Sequence, residues 1–338
     1  MMEMQRQFGH SARLVTLHAN ELTFPEDISL NLPLPRRGPA RFWRKYKRNR
    51  TPLRPQSSIP PVHGPRNLLE RIYFRYDDWR RERPISETIR AFSLEEFDVI
   101  HYDGGADFFR DCRIAKRWKR EGKKIVCHYM GSDLRDRGVY RELDELSDLN
   151  LTNESDHLLL HPDIHYIYIP FDSSAYQVRD RENPKLRIIH SPSNRHLKGT
   201  RYILPVIEKL RGIRDIEFIL VENSPHEEVI RIKQTCDIAI EQVGNLGGTG
   251  YGRNSLETLA MGIPTITEMT PDYVEWLPEN PFILAKPETL LDRLVEVIDD
   301  AALRKEKAVR GRAWVKHYHS FESVYGQLMS LYREHGIV

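Results

Sequence analysis

Eight short apolar runs recur along the chain: RLVTL (13–17), DVIHY (98–102), KIVCHYM (124–130), HYIYIP (165–170), RIIHS (187–191), IEFILV (216–221), DIAIE (237–241) and PTITE (264–268). Several are separated by stretches of helical periodicity, notably 203–211, 225–235, 253–261 and 288–299. Strands that alternate with helices pair in parallel and carry helices on both sheet faces. An α/β protein follows. Its 338 residues suggest about two domains. The second half, where strand and helix alternate cleanly, reads as one Rossmann-like domain.

Composition narrows the function classes. With 40% apolar and 30% charged residues, and 51 Lys+Arg against 49 Asp+Glu, neither global disorder nor a nucleic-acid-type basic field is expected. Cys112, Cys127 and Cys236 have no paired spacing, which argues against a disulfide framework and a cysteine zinc site and fits a reducing cytoplasm. The sequence MMEMQRQFGH lacks the apolar core of a signal peptide, and no run reaches the roughly 18 to 20 apolar residues that span a bilayer. A cytoplasmic protein, soluble or peripheral on the inner face of the membrane, is expected. Residues 28–69 hold ten Lys/Arg and no Asp or Glu, with Phe42, Trp43 and Tyr46 set among Arg41, Arg44, Lys45, Lys47 and Arg48. That cluster, 36–50 above all, suits an anionic membrane surface or an acidic acceptor, and a solvated insertion loop is the plainer alternative. At the other end Phe321, Val324, Tyr325, Leu328, Leu331 and Tyr332 fall at helical spacing with Gly336 as the stop.

The chemistry concentrates in 237–268, a strand, a loop with five glycines, a helix carrying Glu257, and a second strand after Gly262-Ile263-Pro264. A glycine loop running into a helix N-terminus lets the backbone approach a ligand and presents free N–H groups to phosphate. Neither common nucleotide fingerprint fits: if Gly248 and Gly250 open a GxGxxG, Arg253 stands at its third glycine, and no GK[ST] follows.

This stretch resembles the donor-binding region of GT-B glycosyltransferases, in particular the retaining family 4 (glycosyl transferases group 1). Glu257 followed by Leu259-Ala260-Met261-Gly262-Ile263-Pro264 matches the second half of that family's pattern, while Thr249 stands where its first glutamate is usual. Three further stretches match in the same order. HSPSNRHLKGT (190–200) carries the Lys-Gly of the diphosphate clamp as Lys198-Gly199, with Ser193 at the usual arginine and Arg195 nearby. IPFDSSAY (169–176) resembles the interdomain hinge, and VCHYMGSDLRD (126–136) the N-terminal stretch that faces the donor sugar.

The resemblance implies two Rossmann-like domains with parallel sheets facing across a cleft: 1–170 on the acceptor side, 171–315 on the donor side, and a C-terminal helix in 316–338 packing back on the first. Against that pattern the first strand of the N-terminal domain is expected to be lacking, since Gly9-His10 is met directly after a short helical stretch. Lys198, Arg195, Glu257 and His128 are the implied catalytic residues. Ser193, Asn194, Gly199, Glu241, Thr249, Gly250, Tyr251, Gly252, Asn254 and Ser255 would bind the donor. Asp103, Gly104, Gly131 and Asp133 would border the acceptor.

The implied reaction moves a sugar from a nucleotide-diphosphate donor, UDP- or GDP-linked, to a hydroxyl of a glycan, lipid-linked or small-molecule acceptor. Retention and independence from a metal are expected, with no cofactor and no nucleic-acid partner. Glu257 would accept from the ribose hydroxyls, and Lys198 and Arg195 would stabilise the charge on the departing diphosphate. The departures at Thr249 and Ser193 keep a catalytically impaired nucleotide-binding or scaffold protein open. A nucleotide-sugar epimerase or a phosphorylase on the same architecture is a further reading.

Overall fold

A computed structural model describes residues 1–18, 26–32, 62–65, 67–131, 133–178, 182–246 and 250–338. The chain divides into two compact units, Met1–Ile167 together with Gly326–Val338, and Tyr168–Tyr325.

In the first unit, helix α1 (Met2–Gln7) precedes two short strands, β1 (Val15–Thr16) and β2 (Ile28–Ser29), which pair in parallel as a separate sheet. Helix α2 (Leu68–Ala91) opens with Asn67, whose side chain accepts from the Glu70 N–H, satisfying one of the end donors a helix cannot satisfy itself. The main sheet follows in sequence order: β3 (Val99–Asp103), β4 (Lys124–Tyr129), β5 (Leu149–Thr152) and β6 (His165–Tyr166), all parallel. Helix α3 (Arg113–Arg120) crosses from β3 to β4, and α4 (Arg141–Leu146) from β4 to β5. Ile85, Ile89, Trp118, Ile125, Cys127 and Tyr129 are buried in its core.

The second unit holds β7 (Leu186–His190), α5 (Thr200–Arg211), β8 (Ile216–Leu220), α6 (His226–Lys233), β9 (Ile238–Gln242), α7 (Arg253–Ala260), β10 (Thr265–Thr267), α8 (Pro271–Trp276), β11 (Ile283–Leu284), α9 (Leu290–Asp299) and α10 (Ala301–His319). Its parallel sheet has the order β11-β10-β9-β7-β8. Because strand side chains alternate, Ile188, Ile238 and Ile240 pack with Ile203, Ile207 and Leu294 in one core layer, while Ile189 and Ala239 join Met261 and Ile263 in another. Helix α11 (Phe321–Glu334) carries the unit boundary within it. Val324, Leu328 and Tyr332 are buried, and Gly336 ends it at φ +60°.

The order β8-β7-β9 reverses direction between β7 and β9. In open α/β sheets that switch point, outside the carboxyl ends of the strands, is where ligands bind. No helix among the described residues is long and apolar enough to cross a membrane. The basic cluster 36–50 lies outside the described residues.

Candidate functional site

The loop leaving β7 and the end of β9 meet at this switch point. Gly199 sits in the left-handed region at φ +70°, where a side chain is strained, and a Cβ there would overlap the Val243 carbonyl oxygen just beyond β9. The Val243 N–H in turn lies 3.4 Å from the Lys198 carbonyl. This tight approach delivers Lys198 to Glu241, Nζ to Oε1, at 2.5 Å, and to Gln242 Oε1 at 3.0 Å. The Glu241 side chain is fully buried, and its other oxygen accepts from Asn254 Nδ2 in the first turn of α7. Burial alone would raise the Glu241 pKa, but the Lys198 ammonium and the Asn254 amide hold it below the usual glutamate range. Asn254 then accepts from Ser191 Oγ at 2.9 Å. Ser191, Lys198, Glu241 and Asn254 thus form one polar chain at the carboxyl ends of β7 and β9.

Glu257 lies one turn along α7 and is 3% exposed. Its Oε2 takes the ammonium of Lys233, a lysine 1% exposed, and its Oε1 accepts from His226 Nε2 at 2.7 Å. Arg253 Nε stands 3.7 Å from the same Oε1. Sequence reasoning missed Lys233 and His226. A signal was present: 226, 229, 230 and 233 share one face of α6, so Lys233 falls in line with Val229 and Ile230.

The other expected donor residues divide. Ser193, Asn194 and Arg195 are exposed in the loop after β7; Asn194 Oδ1 accepts from the His196 and Leu197 N–H groups, and Arg195 Nε faces Glu222 at 3.5 Å. Gly250 is buried against the Tyr273 ring, and its carbonyl accepts from Gln242 Nε2 at 2.8 Å. Tyr251 is anchored through its side chain, its hydroxyl 3.0 Å from His319 Nε2 and its ring stacked on Phe282. Gly252 is the N-cap of α7, with open space where a Cβ would stand. Ser255 is fully buried, so its side chain points into the unit rather than toward a donor. The Glu241 side chain is likewise buried, and both its oxygens are engaged, by Lys198 and Asn254. Thr249 lies outside the described residues.

In the first unit, Asp103, Gly104, His128, Gly131 and Asp133 gather at the carboxyl ends of β3 and β4. Gly104, at φ +74°, donates its N–H to the His128 carbonyl at 2.7 Å, and Asp133 Oδ2 accepts from the Met130 N–H at 3.0 Å. Burial, with Asp103 nearby, raises the Asp133 pKa. His128, read from the sequence as approaching a cleft, is 2% exposed. Burial pushes its pKa down to about 3 and that of neighbouring His101 to about 4, so both rings are neutral near pH 7.

HepE of Anabaena in complex with UDP aligns over 75% of this chain and 82% of its own length at 12% identity, with a TM-score of 0.53. Sucrose-phosphate synthase from Thermosynechococcus elongatus aligns over 75% and 78% at 12% identity, with a TM-score of 0.53. The fold is GT-B. An alpha-glucosyltransferase in complex with UDP-glucose and DNA containing an abasic site has the same GT-B likeness, 12% identical over 72% and 83% with a TM-score of 0.54. No protein-family model and no curated protein matches the sequence.

Proposed function

We propose that this GT-B chain is a glycosyltransferase that moves a sugar from a nucleotide-diphosphate donor of the UDP type to a hydroxyl acceptor. The observation that carries the reading is the state of Lys198. An ammonium has three protons; among the described residues Glu241 and Gln242 accept from two directions, and the side chain stays 20% exposed. One proton remains for an anionic oxygen at the switch point, beside the N-terminus of α7. The HepE structures hold UDP or UDP-glucose and the alpha-glucosyltransferase structure holds UDP-glucose, which supports the donor class.

In the reaction the bond from the sugar anomeric carbon to the diphosphate breaks and a bond to the acceptor oxygen forms. The leaving phosphate takes the acceptor proton. Lys198 and the α7 N–H groups offset the charge that grows on the diphosphate, so no metal is needed there. Front-face attack would retain the anomeric configuration. Asp103, Gly104, Gly131 and Asp133 border the acceptor. Attachment of 36–50 to anionic lipid would favour a lipid-linked acceptor on the cytoplasmic face.

A thermal-shift series with UDP, GDP, ADP and CMP tests the binding, since a ligand of the native state raises Tm by mass action. UDP should raise it most, and radiolabelled UDP-sugars should then yield product with an acceptor panel. Absence of a shift with every nucleotide overturns the reading. A second reading, nucleotide binding without turnover, is favoured by Glu257, both of whose oxygens are already engaged by Lys233 and His226. Calorimetric binding of UDP with no transfer and no hydrolysis of any UDP-sugar would select it.

A further inference from the structure

At the carboxyl edge of the first unit's sheet, three side chains of metal-ligating type converge, His101, Asp103 and His128, of which the proposed transfer uses only Asp103, as a border of the acceptor. His101 and Asp103 are two apart on β3, so their side chains leave the same sheet face. His128 of β4 is the registered partner of Asp103 and shares that face. The His101 and His128 ring centroids are 5.4 Å apart, and one ligand atom from each of the three residues lies within 4.8 Å of the others.

The decisive observation concerns the ring nitrogens. His128 is 2% exposed, and its Nδ1 and Nε2, with Nε2 of His101, are buried with no partner in hydrogen-bond geometry among the described residues; the Asn153 side chain acts on His128 but donates its amide to the Ile167 carbonyl at 2.5 Å. Each such orphan costs about 1–3 kcal/mol, and native proteins keep few of them. Adjacent imidazole nitrogens presenting lone pairs toward a carboxylate form the donor set suited to zinc or iron(II). A tetrahedral ion at about 2.0–2.1 Å from each ligand needs ligand atoms about 3.3 Å apart. The three groups reach that spacing by closing in roughly 1.5 Å or less from the 4.8 Å limit, a movement within rotamer adjustment. The field of the chain's α-amino group works against a cation here. The Asp103 carboxylate works for one.

We propose that His101, Asp103 and His128 bind one divalent transition-metal ion of the zinc class, leaving at least one coordination position open to water or to an oxygen of another molecule. The site is built from residues of the first unit alone.

The test uses the full chain stripped with EDTA and dialysed, then titrated with Co2+ and, separately, Zn2+. Calorimetry should give a stoichiometry near one, and Co2+ should produce the visible ligand-field bands of a low-symmetry four- or five-coordinate site that Zn2+ bleaches. His128→Phe keeps a ring in the core and should abolish the bands. Asp103→Asn changes an exposed position and should weaken Co2+ at least tenfold with the thermal midpoint of the metal-free protein unchanged. Bands that persist in both variants, or no saturable binding in the parent chain, overturn the proposal; if His128→Phe does not fold, Asp103→Asn alone decides.

Discussion

Replacing Lys198 by Met removes the cation from a carboxylate that has no exposed surface. The Glu241 side chain is 0% exposed and among the described residues would keep only Asn254 as a donor. Breaking a buried pair from one side typically costs about 3–5 kcal/mol. A ceiling follows from linkage, because the stranded carboxylate can always escape by binding a proton. Protonating a glutamate of ordinary pKa, about 4.3, near pH 7 costs about 1.4 kcal/mol for each of some 2.7 pH units, or about 3.7 kcal/mol. The expected loss in Lys198→Met is therefore about 3 kcal/mol near neutrality.

The sign with pH is opposite in the two proteins. In the parent, the folded Glu241 pKa is depressed, so its stabilisation is present above the unfolded value and is lost as pH falls through the folded one. In the variant the folded pKa is raised, so stability declines as pH rises above about 4.3. The gap between the two should thus shrink from about 3 kcal/mol near pH 7 to about 1 kcal/mol near pH 5. Urea unfolding at three pH values measures it, and Lys198→Met with Glu241→Gln should recover most of the loss because no buried charge is left. That double variant should still fold yet bind UDP at least tenfold more weakly, which separates the folding role of the pair from the phosphate contact. A pH-independent penalty, or a double variant no more stable than Lys198→Met, refutes the reasoning.

Gly199→Ala should destabilise the second unit by more than about 2 kcal/mol, combining left-handed strain with the overlap on the Val243 carbonyl, whereas Gly131→Ala, also at positive φ but in open space, should cost about 1 kcal/mol in thermal unfolding. Glu257→Gln leaves the buried Lys233 ammonium without its carboxylate and should lower stability by about 3 kcal/mol, with Lys233→Met in the same chain restoring most of it in a urea double-mutant cycle. His319 is fully buried between Ile169 O and Tyr251 Oη, and burial pushes its pKa down to about 4. Its contribution is complete above about pH 6.5 and fades as pH falls toward 4, by up to about 3 kcal/mol; His319→Gln should flatten that part of the pH–Tm curve.

The second unit was legible in the sequence because its strands are dense apolar runs and its helices carry clear apolar faces. RIIHS and DIAIE correspond to β7 and β9, and the helical stretch 253–261 to α7. The first unit was less so. β5, LNLT, is four residues with a buried asparagine, and the run HYIYIP forms a strand only over His165–Tyr166. α2 is a 24-residue helix with Pro84 inside it; Ile85 and Ile89 are buried while Leu68, Leu69, Ile72 and Trp79 are exposed, so no apolar stripe announces it. At the candidate site, Lys198 and Glu257 were recognisable because a motif surrounds them. The pairings were not: Glu241 was expected at the donor and not under Lys198, and Lys233 arrives from a helix 24 residues away in sequence. Which charge neutralises which is a property of packing, and local pattern carries little of it.

The close approach of Gly199 to Val243 makes the turn after β7 and the rim of β9 a single mechanical part. Grafting 191–199 from another protein to alter donor choice, without also transplanting 241–243, would meet a wall of carbonyl oxygen and a carboxylate stripped of its counter-ion. Redesign of this crevice is therefore a matter of exchanging both segments at once, and libraries that randomise either alone should return mostly chains that fail to fold.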